Sequence, residues 1–125
     1  MAAPNIANVT SILGKTAFDS DVATSASSLL QNAASSNKVL KINTIVAANI
    51  DGTNDADITV SVRTISNTTT RYFLANTITV PADSSLVIIS KDTSFYLEED
   101  QEIRALASAA GDISLMCSYE EIDDA

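Results

Sequence analysis

The sequence predicts an all-β fold, a two-sheet antiparallel β-sandwich or jelly roll, and three observations carry that expectation. Apolar and polar residues alternate with a period of two in most segments after Lys38. Clusters of Gly, Pro, Asn, Asp and Ser interrupt those segments at short intervals. Little in the chain reads as helix, because the doubtful stretches are rich in Ser and Thr, which compete for the backbone in a helix interior. A closed barrel is the main structural alternative.

Taken in order, Ile12, Leu13 and Phe18 are candidates for an early strand, and Thr24–Gln31 is read as strand rather than short helix. The segment from Asn32 to Asn37 is a loop. In Leu40–Val46 an alternating start gives way to continuous apolar residues, as in a strand that begins half-exposed and ends buried. The turn cluster Asp51–Asp57 leads to Ile58–Arg63, with Ile58, Val60 and Val62 on one face. Arg71–Val80 is one long strand or two short ones, and Pro81–Ser84 turns the chain. Leu86–Ile89 reads as a short, fully apolar strand and Ser94–Leu97 as another. After the acidic turn Glu98–Gln101, Glu102–Ala107 begins a final pair. In its second member Ile113, Leu115, Cys117 and Tyr119 share a face, taken as the core. Eight or nine short strands result.

With 125 residues the chain fits one domain, residues 1–125. Met1, Ala2, Ala3, Pro4, Asn5, Ile6, Ala7 and Asn8 have no periodic pattern and one proline, and are expected to form an arm ordered by a neighbouring subunit. The opening residues lack a basic region and a long apolar run, so no secretory signal is read there. No stretch approaches the roughly 20 apolar residues of a membrane helix. The sequons at Asn8 and Asn67 carry little weight without such a signal.

Sixteen acidic residues face seven basic ones, for a net charge of −9. Lys15, Lys38, Lys41, Arg63, Arg71, Lys91 and Arg104 are scattered singly, whereas phosphate binding needs clustered cations. Nucleic acid and anionic membrane are therefore not expected partners. The charge favours solubility at high local concentration.

No catalytic apparatus is legible, so no enzyme is expected. The sequence has no histidine, which removes the commonest general base and metal ligand. Cys117 is the only cysteine, so no intrachain disulfide can form, and its place on an alternating strand reads as core. Gly14, Gly52 and Gly111 are isolated and make no phosphate loop. Asp51, Asp55 and Asp57 could ligate calcium, but the EF-hand spacing and closing glutamate are missing, so turn chemistry is favoured. Glu98, Glu99, Asp100 and Glu102 read as a solvated acidic loop. No cofactor, metal or catalytic residue is expected.

Four stretches carry a resemblance: Ala33–Asn43 (AASSNKVLKIN), Ala48–Val60 (ANIDGTNDADITV), Ile78–Leu86 (ITVPADSSL) and Tyr96–Ala105 (YLEEDQEIRA), together with the opening Ala3-Pro4-Asn5-Ile6. The chain resembles small virion structural proteins of tailed phages of marine bacteria, cyanophages in particular. Members of that group often have Gly where this chain has Asp100. The resemblance implies a virion component assembled in the host cytoplasm, and it carries over no functional residue. Within it, a capsid decoration or cement protein leads, docked on the major capsid protein or another virion protein. A homo-oligomer is expected, with a trimer favoured. A tail, neck or fibre component or host-binding module is the alternative, and a small carbohydrate-active jelly-roll enzyme a remote one.

Overall fold

A computed structural model of the chain describes residues 4–123; Met1, Ala2 and Ala3 of the expected arm lie outside the described residues. The period-two segments form nine strands: β1 (Ser11–Asp19), β2 (Ser27–Asn32), β3 (Lys38–Asn49), β4 (Ala56–Thr64), β5 (Asn67–Val80), β6 (Ser85–Ile89), β7 (Phe95–Leu97), β8 (Gln101–Ala107) and β9 (Ile113–Asp123). A short 3-10 turn, Lys91–Thr93, separates β6 from β7.

The strands make two antiparallel sheets. The first has the order β1-β9-β3-β6, with β7 also paired to β3, and the second has the order β2-β8-β4-β5. Within these orders the first strand pairs with the last, β2 with β8, β3 with β6 and β7, and β4 with β5. The chain is thus one long hairpin, bent between Thr64 and Asn67 and rolled so that successive pairs fall alternately in the two sheets. That wrapping is the jelly roll, and it decides between the two architectures the sequence left open.

The core lies between the sheets and is made of β-branched and small side chains that fit the pleat. Ile42 and Ile45 of β3, Ile58 and Val60 of β4, Ile103 of β8, and Ile113 and Cys117 of β9 are fully buried. Two buried asparagines clip the sheets together at opposite ends of β3. The Asn32 side-chain amide donates to the carbonyls of Lys38 and Leu97, at 2.9 and 3.0 Å. The Asn49 amide donates to the carbonyls of Asn54 and Val80, both at 2.9 Å. Each satisfies backbone acceptors that burial would otherwise leave unpaired.

The apolar run Leu86–Ile89 forms most of β6, an edge strand on which Val87 points outward with 58% of its surface exposed. One strand reading needs correction. In β3, the loss of alternation after Asn43 comes from a register shift between Ile42 and Thr44 opposite β9, not from burial of both faces. The bulge adds one residue, so Ile42 and Ile45 both point inward although three apart. Asp100 sits at φ +64°, the left-handed conformation that glycine adopts most freely.

Burial pushes the Cys117 thiol up to about 12. The expected result is negligible labelling of the native protein by a thiol reagent at neutral pH, and stoichiometric labelling in denaturant. Fast native labelling would place this face of β9 outside the core.

Candidate interaction surface

The acidic segments are used up within the fold. The Asp51 carboxylate accepts the backbone N–H groups of Thr53 and Asn54, which lowers its pKa. Asp55 accepts the N–H of Ala82, and Asp57 accepts the hydroxyl of Thr79. Each of the three holds a different contact, and among the described residues no group of three Asp, Glu or Cys converges to hold a metal ion. A chelator should therefore leave the melting temperature unchanged; a loss near the ~2.7 kcal/mol that a ligand at 100 times its dissociation constant supplies would contradict this. Asp112 lies beside Asp51 and Asp21. Partial burial and those two charges raise its pKa.

Glu102 overturns the expectation of a solvated acidic loop. It is 2% exposed and stands opposite Arg63 on the outer face of the second sheet. Arg63 Nε donates to Glu102 Oε2 at 2.7 Å, Arg104 Nη1 lies 3.5 Å from the same oxygen, and Gln31 Nε2 donates to Oε1 at 3.0 Å. Burial pushes the carboxyl up, but hydrogen bonds from Arg63, Gln31 and Ser28, with the charge of Arg63, outweigh it and hold the pKa below 4.5. Arginines scattered in sequence are thus brought together by the pairing of β4 with β8. Their neighbours in the acidic run serve the turn. Glu99 accepts the N–H of Asn37 at 2.8 Å, and Asp100 accepts both the N–H and the hydroxyl of Ser66.

The outer face of the first sheet is different in kind. Register aligns Phe18 of β1 with Met116 of β9, Met116 with Val46 of β3, and Val46 with Val87 of β6. These four side chains form an apolar row across the whole sheet, and Phe18 is 72% exposed. The row beside it, Thr16, Ser118 and Thr44, is uncharged. Phe18, Val46, Ala48, Ser114 and Met116 line a shallow depression of about 500 Å³. Toward the other end of this face Val39 and Ile122 are paired and nearly fully buried although they also point outward. Pro4, itself buried, and Ile6 border a second hollow of about 310 Å³ with Val39, Tyr96 and Glu98. The described part of the expected arm therefore lies along this face of its own chain.

Asp19 borders the first hollow and Glu98 the second. What the geometry offers is a flat apolar surface and the backbone edges of the strands. Neither was legible in the sequence. The row takes one residue from each of four strands, and only the register puts them side by side.

No family model matches the sequence, and no curated protein does. Among solved structures, the fold is similar to a chain from the structure described as "Bacillus endospore appendages form a novel family of disulfide-linked pili". The TM-score is 0.53 at 17% identity, covering 100% of this chain and 98% of the other. Looser likenesses are to two structures of a pentameric capsid protein from metagenomic phage sequences, each at a TM-score of 0.42 and 14% identity. This chain aligns over 86% of its length and spans 62% and 63% of those two chains. The first likeness is one of fold. The only thiol of the present chain is buried, so it offers no cysteine for a disulfide to a neighbour.

Proposed function

We propose that this protein is a structural subunit of a phage particle, acting as a decoration (cement) protein on the head shell. The observation that carries the reading is the uncharged apolar row Phe18–Met116–Val46–Val87 on one face of a chain with net charge −9. A broad, shallow face suits docking against a protein shell, and the remaining charge keeps the subunit soluble at high local concentration. The jelly roll itself is compatible with this role but also serves lectins and cupins, so fold analogy alone does not decide. The resemblance of the sequence to virion proteins supports the same reading, with the major capsid protein as the partner surface.

A second reading, a tail, neck or fibre component, is favoured by one observation: the full-length likeness in fold to a chain from an appendage. Quantitative mass spectrometry of purified particles, with the chain located in a density map, separates them. Many symmetric copies, on the order of hundreds, are expected for the shell. A dozen or fewer would move the protein to the tail, and absence from particles would overturn both.

A further inference from the structure

We propose that β1 is a dimerisation strand: two copies pair their β1 edges antiparallel about a two-fold axis, joining their first sheets into one continuous sheet. The proposal goes beyond the virion reading and does not depend on it. Proteins blunt exposed strand edges with short strands, bulges, prolines or charges. The other edges here are treated in that way. β2 has six residues and a register shift between Ser28 and Leu30. β5 is shifted at three places against β4. β6 has five residues and β7 three.

β1 is neither short, bulged nor broken by proline, and the charge at its centre, Lys15, is neutralised by Glu121 of its own chain at 2.8 Å. Its nine residues pair with β9 in unbroken register from Ser11 opposite Asp123 to Asp19 opposite Leu115, and no proline interrupts them. Its far side has no neighbouring strand among the described residues. Gly14, at its middle, has open space around it: an added Cβ would meet nothing within 4 Å. Ile12, Leu13 and Phe18 are exposed by 54%, 49% and 72%, so three large apolar side chains stand on this one edge strand.

The occupant is a second β1 because the strand is complementary to itself. Overlapping all nine residues antiparallel sets Ile12 against the partner's Phe18 and Leu13 against the partner's Ala17, and symmetry repeats each contact. Ser11 then faces the partner's Asp19, and Gly14 faces the partner's Thr16. Lys15 falls on the axis, where its charge is countered by Glu121 of its own chain at 2.8 Å. Lys15 and Asp19 cancel within the strand, so two chains of charge −9 meet along a neutral edge. The apolar row ending at Phe18 then continues into the partner's Ile12, Ile122 and Val39.

The test uses the full chain. Sedimentation equilibrium should give a concentration-dependent dimer, not the trimer favoured from sequence. Phe18→Lys and Ile12→Lys, both on exposed side chains, should weaken association at least ~10-fold, at roughly 1.4 kcal/mol per tenfold, with an unchanged dichroism spectrum. Lys15→Cys should form an intermolecular disulfide under mild oxidation, since paired strands bring on-axis residues within disulfide reach; Thr70→Cys on β5 should not. A monomer at all concentrations, a trimer, or a dimer untouched by Phe18→Lys and not cross-linked through Lys15→Cys overturns the proposal. Any of these leaves the virion reading to be decided by particle composition.

Discussion

Glu102→Ala is expected to lower the stability of the fold by about 3 kcal/mol at neutral pH. Removing one partner of a buried ion pair costs about 3–5 kcal/mol, and the lower end applies because both arginines reach solvent. The carboxylate sits between Arg63 and Arg104 at 2.7 and 3.5 Å with Gln31 on its other oxygen, so its loss removes the acceptor of Arg63 Nε and Gln31 and the counter-charge of Arg104, which keeps its bond to the Ala26 carbonyl. Urea unfolding at pH 7 measures the cost. A change below about 0.5 kcal/mol, the range of ordinary surface substitutions, would show that the cluster is an unstrained surface contact. The pH dependence supplies an independent readout. The folded pKa of Glu102 lies below its unfolded value near 4.5, so the unfolded state binds the proton first as pH falls. The stabilisation is therefore complete above about pH 4.5 and is lost as pH drops through the folded pKa. Glu102→Gln should keep the shape, reduce stability at pH 7, and flatten the acid side of the stability profile below about pH 4.5. If its acid profile matches the parent, the charge of Glu102 is not what the arginines hold.

Ile45→Ala is expected to cost about 2–5 kcal/mol, the range for large-to-small changes in a packed core. Ile45 is fully buried, opposite Cys117 on one side and Ile89 on the other, at the centre of the first sheet. Its neighbours are held by sheet hydrogen bonds on both sides and cannot collapse into the space. At roughly 3–6 °C of melting temperature per kcal/mol for a domain of this size, the shift should exceed about 6 °C. Val87→Ala is the control: the side chain is of similar chemistry but 58% exposed, and the shift should stay within about 0.5 kcal/mol. Comparable losses for the two would mean that β6 packs more deeply than its edge position allows.

These two sites were unequally legible in the sequence. The inward face of β9 follows from alternation alone, because a strand in a two-layer fold must send every second side chain to the core. Ile113, Leu115 and Cys117 were assigned to the core on that ground, and all three are buried. Alternation failed where a bulge shifted the count, at Asn43–Thr44 in β3. Asn32 and Asn49 gave no sign of their clipping role, since asparagine at a strand end reads as turn chemistry.

By itself the sequence determined the class of the molecule: an all-β domain, an acidic surface, a lone thiol on a core-facing strand, and no histidine to support the commonest catalytic chemistries. Each of these rests on composition or on neighbours within a few residues, where local sterics and pleat geometry act. Tertiary structure decided which strand stands beside which. It put Arg63 and Arg104 around Glu102, seated Pro4 near Val39, aligned Phe18 with Val87 across four strands, and left β1 as the unbroken edge. Arg63 and Glu102, Pro4 and Val39, and Phe18 and Val87 are separated by tens of residues along the chain. The hydrogen-bond register that joins them is set by burial of the core face of every strand at once, and no local pattern encodes it.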